Sequence, residues 1–419
     1  MESEFNDVRI TSTISPPKKG IMTSHCQIQT MLLLVLRLGV SQWTGGFHQS
    51  CVKILLLMVS PSKEEELSIK ERLAERKRKR EIVKSLEEDN LNGSKEDTSK
   101  AIEGRCSNVG QRYVKIGRVG EGTYGIVYKA RDKQTNQIVA LKRCLPHHQD
   151  SDGFPLTTLR EIATLRNQHP NMIRLQEVAV SSSSVFLVFD FCPYDLAHLV
   201  DQHYHVHRKS PFSTPQVKRL ILQLLSALAF LHSRRILHRD LKLSNLLYTE
   251  KGELKLADFG LSRKYKLPLT PKVVSLWYRP PELLLGAHVY DESIDTWGAG
   301  CVMGELLLGK PLWNCKSEME MIGTLFCELG LPTQNNWPDF FTMPLIANQS
   351  IVLPMLSSPA KLWDRFPDIS PAGLSMLSNL ISWDPGRRWS AQKAEHAKYM
   401  KEYPSPTPAQ AMPRFHEKK

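Results

Sequence analysis

Asp240, Lys242, Asn245 and Asp258 fall within one short stretch, Ile236–Gly260, ILHRDLKLSNLLYTEKGELKLADFG. Their order, H-R-D-L-x-x-x-N with D-F-G beginning thirteen residues after the Asn, suits transfer of a phosphoryl group from a nucleoside triphosphate to a hydroxyl. Such a transfer leaves the protein little covalent work: it must place the hydroxyl in line and neutralise charge. Asp240 has the chemistry to accept the hydroxyl proton, Asn245 and Asp258 to hold Mg2+ against the phosphates, and Lys242 to offset the γ-phosphate charge. A polar turn between two strands is the bland alternative, but it does not account for five polar positions in register.

Those residues need a phosphate cradle and a second lysine. The run Gly120-Glu121-Gly122-Thr123-Tyr124-Gly125-Ile126-Val127 is a G-x-G-x-x-G-x-V loop, in which missing side chains let backbone N–H groups approach phosphates. A dinucleotide-binding fold uses the same glycines, but it continues into a helix and an acidic residue. Here the strand-like Ile138–Arg143 follows and delivers Lys142. No G-K-[ST] occurs, which excludes a Walker-type NTPase. Lys142 needs a carboxylate to hold it, and Glu161, in Pro155-Leu-Thr-Thr-Leu-Arg-Glu161 and followed by the helix-forming IATLR, is the best candidate. Val119, Gly120, Glu121, Gly122, Thr123, Tyr124, Gly125, Val127, Ala140 and Lys142 are therefore assigned to the nucleotide.

The rest of the chain is less specific. At 419 residues it exceeds one ordinary domain, and its 41% hydrophobic and 23% charged residues are unexceptional. Residues 1–105 hold 17 basic and 15 acidic side chains, so most of the net charge of +12 belongs to the catalytic region. The eight cysteines form no C-x-x-C pair, which points to reduced thiols. Residues 1–62 are unassigned. Their apolar runs Met31–Val40 and Ile54–Val59 are too short for a membrane span, and no signal peptide is apparent. Residues 63–112 read as a charged helix and linker; within them Arg76–Arg80, RKRKR, is an import signal, a weak nucleic-acid contact or a solvated helix face. Direct nucleic-acid binding is not favoured. Val185–Phe191 is an apolar strand, and Leu220, Leu224, Leu228 and Leu231 give a buried helix. The alternating histidines of His203–Phe212 read as an exposed loop between helices rather than a metal site.

Pro155–Glu161 and Thr270-Pro-Lys-Val-Val-Ser-Leu-Trp-Tyr-Arg-Pro-Pro-Glu282 resemble the cyclin-dependent protein kinases, nearest to the subgroup named for its PITSLRE and PISSLRE helix motifs. Ser293–Cys301, Leu329–Thr333 and Asp384–Arg388 extend the resemblance from about Tyr113 to Tyr399. It implies an α+β, bilobal kinase fold, with a β-rich N-lobe over 113–189 carrying one main helix, a mostly helical C-lobe over 190–399, and a tail over 400–419. It implies ATP and Mg2+, a cyclin of L or M type docked on the Glu161 helix, Ser-Pro or Thr-Pro substrates, an activating kinase, a nuclear location, and cell-cycle or transcription and splicing roles. Asp190, Cys192 and Asp195 match the hinge and ribose contacts, and Leu247 is assigned to the nucleotide with them. Thr270 matches an activating phosphorylation site facing Arg160, Arg239 and Arg263. Thr123 and Tyr124 match inhibitory ones. Val273, Val274 and Arg279 match a pocket for proline after the phosphorylated residue. Glu282 with Arg388 matches a structural ion pair, and Asp295 a carboxylate that holds the catalytic loop.

Two departures bear on this reading. Only nine residues separate Gly260 from Thr270, about three fewer than the family pattern, and Pro280 replaces the usual alanine before Pro-Glu. The short span leaves open a competing reading, a scaffold that binds a cyclin without turnover; the intact Lys142, Asp240, Asn245 and Asp258 stand against it.

Overall fold

The computed structural model describes residues 106–122, 125–144, 156–181, 184–265, 273–351, 353 and 361–415. Thr123, Tyr124, Thr270, the charged segment at 63–104 and the import-like run lie outside them.

Six strands form the first lobe: β1 (Ser107–Asn108), β2 (Tyr113–Gly122), β3 (Gly125–Asp132), β4 (Ile138–Cys144), β5 (Leu175–Ser181) and β6 (Ser184–Asp190), in the order β1-β5-β6-β4-β3-β2. The two-residue alternation of a strand gives β4 two faces. Val139 and Leu141 point into a small core with Ala130, Phe186 and Val188. Ala140 and Lys142 therefore point the other way, towards the helical lobe.

Ordered structure precedes Tyr113, within the segment read as linker. β1 adds a parallel edge strand beside β5, and the one-turn helix α1 (Val109–Arg112) buries Val109 in the small core. Arg112 then reaches Asp132 at 3.0 Å and Glu177 at 2.9 Å, while Tyr113 donates to Glu177 at 2.6 Å. A two-residue strand carries no periodic signal, so its polar residues look like linker.

Helix α2 (Leu156–Leu165) carries Glu161. Beyond the sheet, β7 (Tyr194–Asp195) leads into α3 (Leu196–His207), which Asp195 caps by accepting from the His198 N–H. The three histidines of His203–Phe212 thus lie on helix, and only the part from Arg208 onward is loop. Leu196, Leu199 and Val200 are buried, and His203 and His207 follow further along the same face, one turn apart with ring centroids 4.3 Å apart. Among the described residues no cluster of three or more His, Cys, Asp or Glu side chains could hold a metal, and no helix is long and apolar enough to cross a membrane.

The helical lobe centres on α4 (Thr214–Ser233) and, further along the chain, a buried helix at Ser293–Leu308. α4 opens with a Ser213/Gln216 capping box and Pro215, and buries Leu220, Leu224, Leu228 and Leu231 as its periodicity predicts. In the helix at Ser293–Leu308, a Cβ on Gly300 would lie 2.6 Å from Ile381, so only glycine permits that close approach. Between these helices lie β8 (Ile236–Leu237), β9 (Leu246–Tyr248), β10 (Leu254–Leu256) and β11 (Arg263–Lys264), arranged as β10-β9-β7 and β11-β8. The segment following β8 is thereby held from both ends.

The tail is part of the fold through Phe415. The buried Lys218 ammonium donates to the Glu402 and Pro404 carbonyls, and Tyr248 donates to the Pro413 carbonyl at 2.7 Å. Phe415 packs edge-on against Tyr194, Phe212 and Tyr248, just past the strand connection between the lobes.

Candidate active site

Asp295, near the start of the buried helix, organises the loop after β8. It accepts from the backbone N–H groups of His238 at 2.8 Å and Arg239 at 2.9 Å, and faces the His232 ring at 3.0 Å. Burial alone would raise its carboxyl, yet His232, His238 and the Arg239 N–H hold it below the usual range. Arg239 sits at φ 68°, a left-handed conformation that this double anchor stabilises.

Asp240 is the focus of the loop. Lys242 Nζ lies 2.7 Å from Oδ2, the Ser275 hydroxyl donates to Oδ1 at 2.8 Å, and the Asn245 amide donates to both the Asp240 carbonyl and Oδ2. Asn245 uses its amide nitrogen on Asp240, which leaves its carbonyl oxygen as a possible metal donor. Ser275 is a residue that reading the sequence did not single out. It lies in the motif segment after Thr270, but its link to Asp240 spans 35 positions and has no local signature.

Lys142 gathers two acids from separate elements. Its ammonium is 2.8 Å and 2.9 Å from the oxygens of Glu161 on α2 and 3.0 Å from Asp258. Burial disfavours the charged lysine, but the two carboxylates outweigh it and hold the ammonium above its usual range. Burial also works against the Asp258 carboxylate, and Lys142 reverses this, keeping it below the ordinary value. Asp258 itself adopts φ 59°. One base facing two acids is a net negative cluster. With the Asn245 carbonyl and Asp258 it supplies hard oxygen donors of the kind Mg2+ accepts alongside phosphate oxygens.

Strand register assembles the cleft. Val127 pairs with both Gly120 and Lys142, Ala140 with Phe189, and Leu247 with Asp195, so the assigned residues form a roof and a floor. Val119 is exposed on β2, and Cys192 is half-buried where the chain crosses between lobes. The Asp190 carboxylate accepts from Gln176 at 2.7 Å, and its N–H donates to the Arg174 carbonyl at 3.2 Å.

The segment around Val274 is strained. Val274, a buried β-branched residue, has φ 68°, and its carbonyl accepts twice from the Arg279 guanidinium, at 2.8 Å and 3.1 Å. The remaining Arg279 nitrogen pairs with Glu318, at the first position of α5 (Glu318–Leu329), a residue that the sequence reading also missed. Arg160, Arg239 and Arg263 are close enough to repel: burial and then the charges of Arg263 and Arg239 lower Arg160. Arg239 is buried and bonded to the Leu261 carbonyl and the Tyr290 hydroxyl.

A two-lobed fold with a lysine–glutamate pair above an aspartate-centred loop is that of the protein kinases, and residues 113–400 match the protein kinase domain. The chain is 45% identical to human cyclin-dependent kinase 10 over 318 residues, covering 74% of this chain and 86% of the relative. It is 42% identical to rice cyclin-dependent kinase G-2 over 327 residues, 74% of this chain and 45% of that one. Among solved structures it is similar to a chain of the yeast RNA Pol II CTD kinase CTDK-1 complex, with TM-score 0.64 and 36% identity over 71% of this chain and 95% of that chain. The protein belongs to the cyclin-dependent kinases and is a cyclin-dependent serine/threonine kinase.

Proposed function

We propose that this kinase phosphorylates serine or threonine followed by proline, with Mg2+-bound ATP and a cyclin of L or M type. The observation that carries the reading is the Val274 carbonyl, engaged by Arg279 and turned by a left-handed backbone. With that acceptor withdrawn, a substrate N–H in the position after the phosphorylated residue would be desolvated without a partner, and proline has no N–H to leave unmatched.

In this reading Asp240 accepts the hydroxyl proton, and Lys242 with Ser275 fixes the carboxylate that does so. Lys142, held by Glu161, contacts the α- and β-phosphates. Asn245 and Asp258 hold Mg2+, which neutralises charge on the transferring group when bound. The cyclin docks on α2, where Leu159 is 48% exposed. Arg160, Arg239 and Arg263 await a phosphate on Thr270. The likeness to a polymerase-tail kinase complex supports a nuclear, transcriptional role over cell-cycle control.

The test compares kcat/KM for matched Ser-Pro and Ser-Ala peptides with the cyclin complex. An unpaired donor costs about 1–3 kcal/mol, so the alanine peptide should be slower by about 5- to 150-fold. Equal rates would remove proline direction; no turnover by a cyclin-bound, folded chain would favour the scaffold.

A further inference from the structure

Arg279 has three nitrogens placed on acceptors, and only two of them touch Val274. The third pairs with Glu318, whose side chain is 49% exposed while that of Arg279 is 16% exposed. The guanidinium is a rigid planar fork, so fixing one nitrogen restricts the plane in which the other two lie. Glu318 is held in turn. Ser317 caps the first turn of α5 by accepting from the Glu320 N–H, and Trp277 donates to the Cys315 carbonyl at 2.8 Å, joining the chain just before that cap to the substrate-side segment.

We infer that Glu318 is a positioning residue for substrate selection: it holds Arg279 in the orientation that withdraws the Val274 carbonyl, and so sets how strictly the kinase requires proline. This rests on the proline-directed reading proposed above. A valine at φ 68° returns to ordinary extended backbone when its tether loosens. Its carbonyl then faces the substrate and accepts an N–H that the intact enzyme leaves unmatched. Loss of Glu318 therefore predicts gained tolerance, with Ser-Ala turnover rising and Ser-Pro turnover nearly unchanged.

The experiment measures kcat and KM for Ser-Pro and Ser-Ala peptides with the full chain as its cyclin complex, comparing wild type, Glu318→Gln, Glu318→Lys and Glu318→Asp. Half-exposed ion pairs are worth little, so Glu318→Gln should narrow the proline preference by about two- to fivefold, chiefly through the alanine peptide. Glu318→Lys, which repels Arg279, should narrow it further, and Glu318→Asp should restore part of it. If wild type shows no proline preference, the parent reading fails. If wild type prefers proline and Glu318→Gln keeps the same ratio, or slows both peptides equally, Glu318 has no part in selection and the inference is overturned.

Discussion

Lys142–Glu161 and Glu282–Arg388 are both buried acid–base contacts with separations under 3 Å, yet they are built in opposite ways. Arg388 meets Glu282 through two nitrogens, donates to the carbonyls of Ser382, Ser293 and Trp383, and lies over the Trp297 ring. Its partners all come from the helical lobe, and they satisfy the guanidinium from several sides. Lys142 joins a sheet strand to a helix, and its two acids compete for one ammonium. A saturated pair fixes architecture. A shared one can be redistributed when metal and phosphates arrive, or when a partner moves α2.

The comparison predicts that stability and activity separate. Arg388→Met should have the largest effect, because it leaves Glu282 buried without its base; breaking such a pair costs about 3–5 kcal/mol. Urea denaturation should show the loss directly. A variant as stable as wild type would mean that the pair is dispensable to the fold.

Lys142→Met should act on the other axis. Removing one preorganised charge at a phosphoryl-transfer site lowers turnover by about 10²- to 10³-fold, while Glu161 can take up a proton and limit the damage to folding. A midpoint near wild type with kinase activity almost abolished is the expected result. A collapse in stability matching that of Arg388→Met would make the two pairs equivalent and end the contrast.

The sequence made the catalytic machinery legible because each role sits in a short motif with rigid spacing. Asp240, Asn245 and Asp258 could be placed by counting, and Lys142–Glu161 by adding one helix with an acid on its inner face. What stayed hidden depends on contacts between distant positions. Arg279 meets Glu318 across 39 residues, and Tyr194 bonds the Phe415 carbonyl across 221. The edge strand at Ser107–Asn108 has too few residues to show alternation. For α3 the helical spacing is carried by Leu196, Leu199 and Val200, and His203 and His207 continue it with polar rings that hide the stripe.

Glu305 supplies the smallest and most discriminating test, because it is a buried carboxyl that pairs with no base among the described residues. Its oxygen accepts from the Tyr278 hydroxyl at 2.5 Å beneath the substrate-side segment, and Glu305 is only 5% exposed. Burial pushes the carboxyl from its ordinary 4.5 up to about 7, against a smaller opposing pull from Tyr278. Between those values the folded protein holds a proton that the unfolded chain releases, so this group's contribution to stability falls as pH rises through that window. Glu305→Gln keeps a neutral acceptor for Tyr278 and has no proton to lose. Variant and wild type should therefore be about equally stable at pH 4.5. At pH 8 the variant should be the more stable, by at most about 3 kcal/mol, the upper bound set by the shift. Denaturant midpoints at the two pH values measure that difference. Parallel pH dependence would mean that Glu305 is already ionised in the fold, and that a buried acid in this lobe tolerates charge without the base that Arg388 provides to Glu282.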